Sequence, residues 1–227
     1  GIYRPVWLEV LPQVHMEHFV LNADHHGKLQ TAVDMAGDAK GHEIIVSVRS
    51  LKDGKTVYTS NGQTTITHPI NNSDKEQMIS GEWASIIPWS TENPNLYVAK
   101  LELKNPEGKI VQTRETRIGF RTVEFFPQDG VYLNGTKLVV KGINRHSFSV
   151  DGGRTTSAAL SRMDALLIKE MNMNAVRSHY PPDEHFLDMC DSLGLVYMDE
   201  LAGWQNGYDS KVCLLYTSPS PRDRSLS

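Results

Sequence analysis

Cysteine is scarce in this chain, and its scarcity excludes a disulfide scaffold: among 227 residues there are two, Cys190 and Cys213. Cys190 falls on the apolar face of a helical pattern, where a buried thiol is the ordinary reading, and Cys213 sits in an irregular tail. Long apolar runs are also missing. No segment approaches the roughly 20 apolar residues a membrane-spanning helix needs, so a membrane is a poor partner. Positive charge is not in excess either. With 23 Lys and Arg against 27 Asp and Glu, the net charge is −4 and no basic stripe forms, which argues against a nucleic acid partner. No fixed metal-ligand spacing such as HExxH is present, so neither a metal nor another cofactor is expected.

From Val14 to about Arg121 the pattern has a period of two. Ile44, Val46 and Val48 alternate with Ile45, Ser47 and Arg49, and Tyr97, Ala99, Leu101 and Leu103 alternate with Val98, Lys100, Glu102 and Lys104. Turn signals recur at Asp53-Gly54, Asn61-Gly62, Asn93-Pro94-Asn95 and Glu107-Gly108. Half-buried strands at this spacing suit an immunoglobulin-like β-sandwich, although the Cys and Trp core marks of antibody domains are absent. His25-His26 and Glu43 read as its surface.

After Arg121 the period changes. Asn134-Gly135, flanked by Val131–Leu133 and Lys137–Val139, is a strong hairpin signal. Val139–Asn144 reads as a buried strand. Leu160, Met163, Leu167 and Met171 then form a helical stripe, with Thr156 or Ser157 as its cap. The next stretch, NAVRSHYPPDEHFLDMCDSLGLVYMDE, holds two short apolar strands around one helix, in which Phe186, Leu187, Cys190 and Leu193 recur at helical spacing. Asp183 reads as its N-cap and Gly194 as its C-terminal stop. A βαβαβ series of this kind begins a (β/α)8 TIM barrel, whose ligand groups gather at the carboxyl ends of the strands. Arg177, His179, Asp199 and Glu200 are therefore expected at one edge. Lys141, a conceivable amine nucleophile for a barrel acting on carbonyl substrates, lies within the first strand and reads instead as an outward-facing lysine.

The combination of N-x-V-R, H-Y-P, D-x-x-G and four apolar residues before an acidic pair resembles the first signature of glycoside hydrolase family 2, the β-galactosidase, β-glucuronidase and β-mannosidase family. LNGTKLVVKGINRH from Leu133 is similar to the start of that family's barrel. Gly119–Arg121 and PWSTENPNLY from Pro88 resemble parts of its middle domain. One departure is local: the family usually has two residues between the arginine and the histidine, and here Ser178 alone intervenes.

The resemblance implies a multidomain order: residues 1–12 as the last strand of an N-terminal jelly-roll, 13–121 as the sandwich, 122–210 as the first part of the barrel, and 211–227 as a non-native or disordered tail. It also implies a fragment of a retaining exo-β-glycosidase acting on a β-linked sugar, β-galactosidase-like, with both catalytic carboxylates on later strands and a homo-oligomeric parent admitted. Asp199 and Glu200 are adjacent on one strand and point to opposite faces, so they cannot form that pair. Arg177 would orient the nucleophile, His146 and His179 would bind sugar hydroxyls, and Asn144 and Arg145 would support them. Each also has a structural reading: Arg177 as a salt-bridge partner of Glu200, Asp199 as a loop cap, the histidines as solvated loop residues. Trp204 is either a sugar-stacking platform or a loop-packing residue. The magnesium-binding glutamate and histidine of the family's β-galactosidases are replaced here by Trp204 and Asn206, so no metal is carried over. The competing function is a non-catalytic carbohydrate-binding or scaffolding sandwich. Compartment stays open among bacterial cytoplasm, periplasm and secretion.

Overall fold

The alternation that starts at Val14 becomes eight strands: β1 (His15–Ala23), β2 (Lys28–Ala36), β3 (Glu43–Ser50), β4 (Thr56–Val57), β5 (Thr65–Pro69), β6 (Glu76–Glu82), β7 (Tyr97–Lys104) and β8 (Ile110–Ile118). They belong to a computed structural model that describes residues 4–200. Strands β1, β2 and β6 form one antiparallel sheet. In the other, β3 pairs with β7 along one edge and with β4 and β5 along the opposite edge, and β8 lies beyond β7. Together the sheets make the immunoglobulin-like sandwich, within a unit of residues 9–89 and 95–123.

Its core follows the strand period. Ile44, Val46, Val48, Tyr97, Ala99, Leu101 and Leu103 are buried and meet Met16, Leu29, Val33 and Ile79 of the facing sheet. Each Val, Leu, Ile or Met among them contributes about 1.5–3 kcal/mol by leaving water. Apart from Ile45, the outward positions of β3 are polar, and Lys104 Nζ reaches Glu43 of its register partner strand at 2.5 Å. Val98 departs from the pattern, being buried in an outward register. Trp89 and Phe120 are fully buried, and the Trp89 amide donates to the Phe120 carbonyl at 2.9 Å. Gly119 permits that approach: a Cβ there would lie 2.9 Å from the Trp89 Cβ.

The second unit comprises residues 4–8, 90–94 and 124–200. Strands β9 (Val123–Phe126), β10 (Gly130–Leu133) and β11 (Thr136–Lys137) form a small ribbon. Asn134 and Gly135 turn its hairpin with φ of 52° and 75°, the left-handed pair a tight two-residue turn requires. Then come β12 (Gly142–Asn144), α1 (Ala158–Glu170), β13 (Ala175–Ser178), α2 (Glu184–Leu193) and β14 (Val196–Asp199). The three strands lie parallel in the order β12-β13-β14, and this is the first part of a TIM barrel. The Asn174 side chain splints the start of the sheet, accepting from the Lys141 amide at 2.8 Å and donating to the Val139 carbonyl at 2.9 Å.

Both helices begin and end near the expected residues. Ser157 caps α1 by accepting from the Leu160 amide, and Gly194 ends α2 at φ 72°. The buried face of α1 is not the expected stripe. Ser161, Ala165 and Ile168 are buried, whereas Met163, Leu167 and Met171 are each about half exposed. Small side chains let a helix approach the sheet closely, and the bulkier residues are left on the outer side. Residues 4–12, expected as a strand, lie in none, and no described strand pairs with them. Residues 211–227, expected to be unpacked, and Trp204 lie outside the described residues.

Candidate functional site

Strand parity decides which polar side chains meet. Ile143, Val176 and Tyr197 pack in the core between sheet and helices with Phe186, Cys190 and Ala165. Their strand neighbours, one residue on, therefore point to the opposite face. Asn144 and Arg177 are register partners, as are Arg177 and Met198, and the same face continues through His146, His179 and Glu200 beyond the strand ends. That face carries no helix of the described chain in its core contacts, and Met198 on it is 58% exposed.

Arg177 organises the cluster. Its Nη1 donates to Asn144 Oδ1 at 3.2 Å, and its Nη2 lies 2.5 Å from Glu200 Oε2. His179 Nδ1 reaches the same carboxylate oxygen at 2.6 Å. A carboxylate only accepts, so Nδ1 is the donor in this contact. The guanidinium lies alongside that ring, with its nitrogens 3.4 and 3.5 Å from Nε2 and Nδ1. His146 joins from the β12 side, its ring centroid 5.2 Å from that of His179. The structure thus brings together Asn144, His146, Arg177, His179 and Glu200 at the carboxyl ends of three neighbouring strands.

Two of the expected residues do not join them. Arg145 follows Asn144 and so turns to the helix-covered face, where Nε donates to Asp164 Oδ2 at 2.9 Å and the guanidinium lies 3.9 Å over the Phe186 ring. Its Nη2 is 2.8 Å from the same oxygen, without a hydrogen-bonding angle. Asp199 is the register partner of Ser178 and shares its side of the sheet, and its Oδ1 accepts from the Glu200 amide at 3.0 Å. Tyr197, on that covered side, has its hydroxyl pKa pushed up to about 12, first by burial, against a lowering contribution of its hydrogen bond with Ser178. Burial likewise raises the Cys190 thiol, leaving it an inert core group.

The sequence reading missed Tyr180. Its ring stands 5.8 Å from His146 and 6.5 Å from His179, with the Arg154 guanidinium 4.6 Å over it. Its place in H-Y-P, directly after His179, was the available signal. Among the described residues clustered on the open face, Glu200 is the one carboxylate, and Arg177 Nη2 and His179 Nδ1 share its Oε2. Such an arrangement offers donors and acceptors with which polar ligand groups can hydrogen-bond. It does not supply the two carboxylates, about 5 Å apart, of a retaining glycosidase. Among the described residues no group of three or more His, Cys, Asp or Glu side chains assembles that could hold a metal ion, and the Glu200 oxygen faces the Arg177 guanidinium.

Two family models match the chain, "Glycosyl hydrolases family 2" over residues 14–121 and "Glycosyl hydrolases family 2, TIM barrel domain" over residues 127–221. The chain is 33% identical over 208 residues to the β-galactosidase BgaC of Bifidobacterium adolescentis, covering 88% of this chain and 19% of that protein. It is 41% identical over 222 residues to a β-galactosidase of Thermoanaerobacterium thermosulfurigenes, covering 90% and 29%. Among solved structures, a Bacteroides uniformis β-glucuronidase superposes with a TM-score of 0.70 at 27% identity, over 87% of this chain and 25% of that one. The chain therefore spans less than a third of the length of each of these proteins.

Proposed function

Since the chain belongs to glycoside hydrolase family 2, we propose that it is part of a retaining exo-β-glycosidase that hydrolyses O-glycosidic bonds, β-galactosidase-like in its choice of a β-linked sugar. The observation that carries this is the convergence of Asn144, His146, Arg177, His179 and Glu200 on the uncovered face of β12, β13 and β14. In this reading Arg177 holds carboxylates in place, first Glu200 and then the nucleophile of a later strand. His146 and His179 present ring nitrogens to sugar hydroxyls, and Asn144 keeps the guanidinium planar to the strand ends. Glu200 is read as the counter-ion of Arg177 and His179, with both carboxylates of the retaining pair on later strands. Binding without the closely spaced pair does not lower the barrier.

The test is an assay of the purified chain on nitrophenyl β-galactoside, β-glucuronide and β-mannoside, with an NMR titration of the histidine rings by a non-hydrolysable thio-β-galactoside. No turnover is expected, together with sugar-dependent shifts of His146 and His179. Turnover abolished by Glu200→Gln would overturn the assignment and make Glu200 catalytic. Imidazole signals indifferent to each of the three sugars, offered as thioglycosides, would refute the binding role.

A further inference from the structure

Resting on that reading but reaching a residue it does not use, we propose that Arg4 is a positioning residue that sets the connection between β13 and α2, and with it His179 and Tyr180. Asp183 stands at the N-terminus of α2 and is 6% exposed, yet its side chain caps no helix amide. Its carboxylate turns instead to the Thr156 hydroxyl and to the Arg4 guanidinium. The same guanidinium donates through Nη2 to the Pro181 carbonyl at 2.6 Å. Arg4 thus grips both ends of the short stretch from Pro181 to Asp183.

That stretch needs an external hold. Pro181 and Pro182 carry no amide hydrogen, so they cannot donate a main-chain bond to anchor themselves. A carboxylate as covered as that of Asp183 is costly to bury without a cation beside it. Through Thr156 it also reaches the other crossover, residues 145–157, which carries His146. One buried carboxylate therefore joins the two loops that hold the imidazoles, and Arg4 supplies its charge. The planar fork of an arginine holds two donors in a fixed geometry that matches the carboxylate and the carbonyl, whereas a lysine offers one compact ammonium on a flexible stem.

The experiment compares the whole chain with its R4Q and R4K variants and, as a surface ion-pair control, Lys137→Gln. The readouts are the ring chemical shifts and titration midpoints of His146 and His179, and the affinity for the thio-β-galactoside. R4Q is expected to move both imidazole signals and to weaken sugar binding about threefold to tenfold, on the order of 1 kcal/mol. R4K restores a cation beside Asp183 but loses the Pro181 bond, and its signals fall between the two. Lys137→Gln and the sandwich histidines stay unmoved. The proposal is overturned if R4Q leaves His146 and His179 at their wild-type shifts, even where its melting temperature falls. Because the shifts are read without sugar, a wild-type chain that binds none would refute the proposed function and leave this test standing.

Discussion

Replacing Arg145 by Met separates a structural arginine from a ligand-binding one. Arg145 has 9% of its side chain exposed, and its partner Asp164 has 30%. Removing one member of a fully buried pair costs about 3–5 kcal/mol, chiefly because the other charge is stranded. Asp164 can recover part of its hydration, so about half of that applies here. Loss of the guanidinium from the Phe186 ring, 3.9 Å away, adds about 0.5–1 kcal/mol. Methionine keeps most of the apolar stem, so the expected cost is about 2–3 kcal/mol. The double variant Arg145→Met/Asp164→Leu removes both charges and should recover most of the loss, since an apolar pair of similar volume often replaces a buried ion pair without penalty. Native-state hydrogen exchange of the α1, α2 and β13 amides reads this locally and avoids mixing in the sandwich unit. Sugar-dependent shifts of His179 should be unchanged. A single variant costing under about 0.5 kcal/mol, or a double variant no better than the single, would refute the ion-pair account.

Alkaline pH offers a second check. The Tyr197 hydroxyl is held at about 12 when folded and near 10 when unfolded, so the unfolded chain loses its proton first and stability falls as pH rises from about 10 to about 12. Tyr197→Phe should flatten that decline in urea melts followed across this window, and an unchanged slope would count against the burial. In the sandwich, Gly119→Ala should cost about 1–3 kcal/mol, because the new methyl meets the Trp89 side chain at 2.9 Å. Thermal unfolding followed by Trp fluorescence measures it, and a neutral result would show that Trp89 gives way freely.

Period-two alternation made the sandwich strands legible, while Asn134-Gly135 marked the turn of the β10–β11 ribbon and Gly194 the end of α2 through the positive φ each supplies. The βαβ order was legible from short apolar runs alternating with helical spacing. What single-residue chemistry could not show was direction. Arg145 and Arg177 look equally suited to a site, yet one residue of parity sends Arg145 under the helices and leaves Arg177 on the open face. The face of α1 was misread because leucine and methionine are the more hydrophobic residues, whereas close packing favoured Ser161 and Ala165. The roles of Asp183 and Arg4 rest on a contact between residues 179 positions apart in sequence, which no local pattern encodes.

The Asn174 side-chain amide acts as an additional rung of the sheet, its donor and acceptor set beside the main-chain amide of the same residue, which donates to the Lys141 carbonyl at 2.9 Å. A slip of β12 by one residue would break both bonds together and exchange the faces of Asn144 and Arg145. Aspartate at this position could accept from Lys141 but would set a second oxygen against the Val139 carbonyl, and leucine would hold neither. The identity of one side chain at the foot of the sheet therefore selects which of two adjacent polar residues is presented at its top.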